Sequence, residues 1–503
     1  MTETISETPI TSADGETQLL RHLIAGRWLP GAGPQIVDTN PARPGEVVAR
    51  GNAAAAQQLD AAVQGAVTSF PDWAATPFPA RAEILSRTAA LLTARADEWG
   101  AELAREEGKT HAEGAGEVRR AAEIFRFYAS EAFRPVGELY ASPRAGEQIQ
   151  LVHRPVGVIS VITPFNFPIA IPAWKIAPAL AYGNTVVWKP SSLVPLLAQR
   201  LAEALVEAGL PDGVVSLIVG DGTLGARLTE HDGVDAVSFT GSTGVGRQLI
   251  GRCGALARPI QTEMGGKNAA VVLADADLDL AVSEVAAGAF RSTGQKCTAT
   301  SRVILCRAVA DDFLARLADR VAALQVGDPL DPKVEIGPLV STAARDEVRA
   351  AVEAGLARDG VRLVAGGGAF AAGDARAAGA FFPPAVVEVD GADELWRDEL
   401  FGPVLAVRRA ADDREALALV NDSAFGLTAA VFTNDLRAVA EAVQTLDVGV
   451  LHINSETAGA DPHVPFGGTK ASSFGPKEQG RAAREFYTKT TTVYLKAPAQ
   501  AGR

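Results

Sequence analysis

From Gly157 onward the chain alternates short apolar runs with helical patterns, and this alternation restricts the fold more than any other feature. VGVISVIT, NTVVWKP, GVVSLIVG, DAVSFTG and RPIQTEMG read as strands, separated by helical patterns such as Ala170–Tyr182, Leu193–Ala208 and Val245–Ala255. Strand, helix, strand in succession is the βαβ unit, which requires a parallel sheet covered by helices. A second series starts at NAAVVLAD (268–275) and continues through helices at Asp311–Leu324 and near Ala343–Ala357. After a Gly/Ala-rich loop at 366–380 it resumes with FFPPAVVEV, PVLAVRR, AAVFTN and VGVLHIN. The expected fold class is therefore α/β, with two doubly wound domains, and 503 residues suffice for two or three domains. In such sheets ligands collect at the carboxyl ends of the strands. Asn166, Lys189, Ser242 and Glu263 each follow an expected strand.

The chain before and after these series is less regular. Residues 1–20 read as a flexible arm, followed by a short strand-and-turn entry around IAGRWLPG and the Pro41/Pro44 cluster. Leu59, Ala62, Val63, Ala66, Val67, Phe70 and Trp73 recur at helical spacing. Two more alanine-rich helices are expected at Ala80–Glu107 and Glu113–Phe133, as packing elements with no chemistry assigned. Residues 136–155 interrupt with turn signals and short β-like runs. The final run TTTVYLKA (490–497) has no partner nearby in sequence and is expected to join a sheet elsewhere, one in another subunit included. An unpaired strand seeks a neighbour, which predicts a homodimer or homotetramer.

Composition narrows the function classes. A net charge of −13 with no basic stripe argues against nucleic acid as a partner, and no apolar run is long enough to span a membrane. Three cysteines make no disulfide framework, and the polar, acidic start lacks the features of a signal peptide, so a cytoplasmic location is expected. The six histidines show no ligand spacing and there is no CxxC, so no metal site is expected.

Of the cysteines, Cys253 falls in a helical pattern and Cys306 ends a strand, as packing residues do. Cys297 lies in FRSTGQKCTATSR (290–302), a polar turn between an apolar helix and a strand, where substrate can reach a thiol. Gly220-Asp-Gly222-Thr-Leu-Gly225 fits a dinucleotide fingerprint and equally a tight strand-to-helix turn. Gly241-Ser242-Thr243-Gly244 opens a helix where free N–H groups suit a phosphate. Glu263, Asn166 and Lys189 have bland readings too: a cap, a turn amide, a solvated strand end. A catalytic reading requires that Glu263 and Asn166 face the cavity of Cys297.

Taken together, seven stretches resemble the aldehyde dehydrogenase superfamily, over about residues 20 to 497. They are TPFNFP (163–168), KIAPALAYGNTVVWKP (175–190), FTGSTGVG (239–246), EMGGKN (263–268), GQKCTATSR (294–302), ELFGPV (399–404) and PFGGTKASS (465–473). The resemblance implies a nucleotide-binding domain from 1–135 and 156–265 and a catalytic domain from 266–464. It further implies a small β oligomerisation element from 136–155 and 484–500. It implies that Cys297 attacks an aldehyde as thiolate, that the Asn166 amide and the Cys297 N–H hold the oxyanion, and that hydride passes to a nicotinamide. Glu263 would activate water on the resulting thioester, with Lys175 and Glu478 as supporting proton-relay groups.

For the cofactor, NAD or NADP, the resemblance places Lys189 and Glu399 on ribose hydroxyls, Ser242 on phosphate and Phe401 beside the nicotinamide. Thr163, Phe165, Gly225 and Gly241 complete that set, Phe165 standing where Trp is more frequent. Ser192 replaces a glutamate whose charge repels a 2′-phosphate in NAD-selective relatives, so NADP is expected to be tolerated. The retained Glu263 favours hydrolysis to the acid over acyl transfer to coenzyme A. The small-molecule substrate most in line with the resemblance is α-ketoglutaric semialdehyde (2,5-dioxopentanoate), with other aliphatic or aromatic aldehydes as alternatives. Expected pocket walls are Phe167, Trp174, Lys296, Thr298, Ala460, Pro462 and His463. Lys296 and Arg291 could counter a substrate carboxylate or be solvated. A non-catalytic relative of the same fold and a thiol-dependent esterase are the rivals from other classes.

Overall fold

Val158–Ile162, Thr185–Lys189 and Ala236–Thr240 are buried along their whole length, so helices must cover both faces of the sheet they form. In the computed structural model, which describes residues 17–134, 137–391 and 393–496, these strands are the middle of an eight-stranded sheet. Its parallel part runs Ile260–Glu263, Ala236–Thr240, Val158–Ile162, Thr185–Lys189, Val215–Leu217. Successive strands step outward in one direction from Val158–Ile162 to Val215–Leu217. The chain then returns to the other side of Val158–Ile162 with Ala236–Thr240. The loops leaving those two neighbours therefore diverge and open a crevice at their carboxyl ends. Antiparallel strands close both edges: Ser473–Phe474 against Ile260–Glu263, and the hairpin of His22–Ile24 and Arg27–Leu29 against Val215–Leu217.

The second series forms a seven-stranded sheet in the order Val361–Gly366, Ala385–Val389, Val404–Ala410, Thr300–Cys306, Asn268–Val272, Thr428–Phe432, Val450–Ile453. Only its first pair is antiparallel. The fold is α/β with two doubly wound sheets, as the alternation predicts. Asn268–Val272 follows Ile260–Glu263 after four residues, so one short connection carries the chain from the first sheet to the second.

Two expectations need correction, and a third is resolved. The single helix over Ala80–Glu107 is two, Phe78–Ala94 and Ala96–Glu106, broken where Arg95 leaves helical dihedrals (φ −103, ψ 9). No glycine or proline marks that break. The C-terminal strand Thr488–Lys496 joins a sheet distant in sequence, as expected, and does so within its own chain: it pairs antiparallel with Glu147–Pro155, from Thr488 opposite Pro155 to Lys496 opposite Glu147. With Gly137–Ala141 these make a three-stranded sheet. The N-terminal arm lies outside the described residues up to 16, but Gln18–Leu19 already pairs in parallel with Val47–Asn52. No helix among the described residues is long and apolar enough to cross a membrane.

Candidate active site

The turn that carries Cys297 is held in an unusual backbone shape. Helix Leu278–Phe290 ends, and Ser292 and Thr293 both take left-handed conformations (φ 53 and 54) before Gly294 (φ 68). Two such non-glycine residues cost about 1–2 kcal/mol each, so the surroundings must impose them. Glu113 accepts the Ser292 N–H at 2.7 Å, and the Thr293 hydroxyl donates to the Gly337 carbonyl at 3.1 Å. Only glycine fits at 294, where a Cβ would stand 2.3 Å from the Gly402 carbonyl oxygen. Asn268 ties down the far side, its amide donating to the carbonyls of Cys297 (2.8 Å) and Ala299 (2.9 Å).

Burial pushes the Cys297 thiol up to about 12, and the charges of Glu399 and Glu263 push the same way. The N–H groups of Cys297 and Thr298 act against this by hydrogen bonding to the sulfur. Those N–H groups thus face the space where an oxygen on a Cys297 adduct would develop charge. Asn166 is buried, and its Nδ2 donates to the Gln295 carbonyl at 2.9 Å, which fixes the amide plane. Its Oδ1 has no partner among the described residues.

Cys297 and Asn166 open into a cleft of about 1500 Å³ that runs over the carboxyl ends of the eight-stranded sheet. That exceeds the roughly 300–1,000 Å³ of an ordinary ligand pocket and suits an extended ligand. Phe165 and Phe401 line it beside the cysteine, their rings edge to face with centroids 5.7 Å apart. Phe401 is itself left-handed (φ 52). Thr163 lines the floor and accepts the Trp188 Nε1–H at 2.9 Å. Lys189 ends its strand buried rather than solvated; burial lowers its ammonium to about 8, and its Nζ donates to the Pro190 carbonyl at 3.0 Å. Ser192 stands on the same wall.

The glycines of the cleft are spatial requirements. A Cβ on Gly225 would press on Lys189 Cδ at 3.2 Å, and one on Gly241 would meet Phe239 Cζ at 2.6 Å. The Ser242 side chain makes no cap bond to the helix Thr243–Ala255, so the first N–H groups of that helix remain available to an anion. Glu399 accepts the Gly266 N–H at 2.9 Å, and burial raises its carboxyl to about 7. One uncapped helix start, a lysine and a carboxylate along one long cleft fit a dinucleotide. Gly220, Asp221 and Gly222 of the first glycine-rich turn also line it, with Asp221 accepting the Leu224 N–H as a helix cap.

Glu263 is the last residue of its strand and does not line the cleft, against the expectation that it faces the cavity of Cys297; it lies near enough for its charge to act on the Cys297 thiol. Its carboxylate accepts the Ser473 hydroxyl at 2.6 Å, across the antiparallel edge pair that joins the two residues. Burial raises its carboxyl to about 8, helped by the charge of Glu478, while Ser473 and Lys175 oppose the rise. Lys175 donates to Glu478 and to Ser238 Oγ (3.0 Å) in the interior just behind.

The expected substrate walls do not join this cleft. Trp174 packs on Phe466 with ring centroids 5.5 Å apart, and Phe167 carries the Lys109 ammonium over its face at 3.6 Å. The Thr298 carbonyl accepts the Thr457 hydroxyl at 2.7 Å. Lys296 is buried, not solvated, with its ammonium 3.8 Å from Glu456. Arg291 is exposed, and so is His463. Sequence reading missed Asn268, although it lies inside EMGGKN, and the charged residues at the start of helix His111–Ser130. Both act on backbone atoms of loops distant in sequence, which no local pattern reveals.

Comparison with known proteins agrees with this geometry. The Aldehyde dehydrogenase family profile matches residues 28–493. The chain is 41% identical to the alpha-ketoglutarate semialdehyde dehydrogenase of Haloferax volcanii, covering 94% of this chain and 98% of that protein. It is 40% identical to the 2,5-dioxopentanoate dehydrogenase of Saccharolobus solfataricus, with the same coverage. The crystal structure of betaine aldehyde dehydrogenase from Staphylococcus aureus in complex with NAD+ superposes with a TM-score of 0.91 at 30% identity, over 95% of both chains. The chain belongs to the aldehyde dehydrogenase family.

Proposed function

We propose that this protein oxidises an aldehyde to the carboxylic acid with NAD or NADP, through an acyl group carried on Cys297. The observation that carries this reading is the meeting of Cys297, the buried Asn166 amide and the Phe165/Phe401 walls in one dinucleotide-sized cleft. Cys297 adds as thiolate to the carbonyl carbon, its proton passing to solvent or a neighbouring base. The Asn166 Nδ2–H left free by Gln295 and the Cys297 N–H take the oxyanion, a pair of donors each worth about 3–4 kcal/mol of barrier. Lys189 and Glu399 hold the ribose hydroxyls, and the start of helix Thr243–Ala255 receives phosphate. When bound, the nicotinamide supplies the two-electron acceptor that the oxidation needs. Glu263 then takes a proton from the water that releases the acid and restores the thiol.

A semialdehyde such as α-ketoglutaric semialdehyde is the preferred substrate in this reading. Its support is the names of two relatives at about two-fifths identity over nearly the whole chain. Ser192 leaves room and no negative charge for a 2′-phosphate, so both cofactors are used. The three-stranded sheet, with Leu139 and Tyr494 exposed, would serve contact between subunits of a homo-oligomer. The test is to follow reduced-nicotinamide absorbance with NAD and with NADP over a panel of semialdehydes, with Cys297→Ala as control. Turnover that survives in Cys297→Ala, or none with any aldehyde, would sink the reading.

A further inference from the structure

The start of helix His111–Ser130 grips the loop that carries Asn166. The helix begins with a complete cap: Thr110 accepts the Glu113 N–H at 3.3 Å, and Glu113 accepts the Thr110 N–H at 3.1 Å. Just before it, the Lys109 ammonium donates to Glu117 at 2.8 Å and to the backbone carbonyl of Asn166. Both side chains of this pair are almost wholly buried (2% and 1% exposed). The second oxygen of Glu117 accepts the N–H groups of Ile169 (3.0 Å) and Ala170 (3.1 Å). Helix Ala170–Ala181 has no side-chain cap of its own, so Glu117 supplies one from a distance. Asn166 is thereby held at its own carbonyl and again three residues on. Its side-chain amide is held a third time by the Gln295 carbonyl.

This arrangement is larger than packing needs. A buried ion pair contributes little net stability compared with apolar residues of the same volume. Burial works against the Lys109 charge, and the carboxylates of Glu107 and Glu117 outweigh it, so the ammonium stays charged. The same helix also reaches the cysteine loop, through Glu113 on the Ser292 N–H. One rigid element therefore sets the spacing between the loop of the amide and the loop of the thiol.

We propose that Lys109 and Glu117 are positioning residues that hold the Asn166 amide in register with Cys297. This rests on the oxyanion role given to Asn166 above. A donor displaced by about 1 Å forfeits on the order of 10²-fold in rate. Lys109→Met is accordingly expected to lower kcat by about 10–100-fold, with cofactor Kd and aldehyde KM within about threefold of the parent. Lys109→Arg restores a substantial part of the loss. Glu117→Gln, which keeps volume and shape, gives a smaller loss of the same kind and serves if Lys109→Met does not fold.

The deciding measurement is a double-mutant cycle on kcat with Asn166→Ala. Because Lys109 acts through Asn166, its substitution should have no further effect once that amide is gone. An undiminished effect of Lys109→Met (or Glu117→Gln) in the Asn166→Ala background overturns the proposal while leaving the role of Asn166 intact. If Asn166→Ala alone leaves kcat unchanged, the oxyanion reading fails, and the positioning role with it.

Discussion

Lys175 and Glu478 form a buried ion pair across 303 residues of sequence, and their charges converge on Glu263 from behind. Glu478 raises the Glu263 carboxyl and Lys175 lowers it, so the pair sets the pH at which Glu263 becomes a base. A raised carboxyl is protonated below its pKa, so the base form appears as pH rises. Water attack should strengthen as pH climbs through about 8. Glu478→Gln should move the inflection of the pH–kcat profile to lower pH, and Lys175→Met to higher pH with a stability loss of about 3–5 kcal/mol. Unmoved inflections in both variants would separate Glu263 from the step.

The thiol of Cys297 is protonated at neutral pH in the free protein, held up to about 12 by burial and then by Glu399 and Glu263. Alkylation by iodoacetamide should rise about tenfold per pH unit from pH 7 to 10 without reaching a plateau. Mass spectrometry of the Cys297 peptide gives the rates. A plateau below pH 8 would contradict this environment.

Ser192→Glu should penalise NADP. It would place a carboxylate on the cleft wall it shares with Lys189, where a 2′-phosphate would come. The NADP kcat/KM should fall by about tenfold or more while that for NAD changes little. Equal losses for both cofactors would put the 2′ position elsewhere.

Arg302 is buried and donates to the carbonyls of Lys267 (2.8 Å), Val420 (3.1 Å) and Leu419 (3.2 Å). Its guanidinium also lies 4.9 Å over the Trp396 ring. Arg302→Met keeps the bulk and strands those acceptors, so a loss of about 3 kcal/mol or more is expected, read as a lower melting temperature. A loss below about 1 kcal/mol would show that water replaces the guanidinium.

Asp38 and Glu106 are buried carboxyls that bear on each other. Burial raises Asp38 to about 8 and Glu106 well above its usual value. The folded state therefore holds protons that the unfolded chain releases near pH 4, and stability should fall as pH rises from about 4 to 8. The slope should approach 1.4 kcal/mol per pH unit for each proton retained, roughly. Asp38→Asn should flatten it in denaturant titrations at several pH values.

Much of the architecture was legible because burial on both faces forces strands to be continuously apolar. Val158–Ile162 and Ala236–Thr240 could be read as central parallel strands from their residues alone. The break at Arg95 was not legible, since nothing in its side chain opposes a helix. Lys296 reads as a pocket residue that could counter a substrate carboxylate or be solvated, and neighbouring elements bury it against Glu456.

What the sequence determined by itself was local: the alternation of strand and helix, the glycines that allow close approach at 241 and 294, and the reactive residue types in their motifs. Which of those residues meet was decided by the tertiary structure. Asn166 takes its place from Lys109 and Gln295, and Cys297 takes its place from Asn268 and Glu113, by way of Ser292. These are bonds to backbone carbonyls and N–H groups. Every residue but proline offers both, so no spelling of the receiving segment records who will hold it.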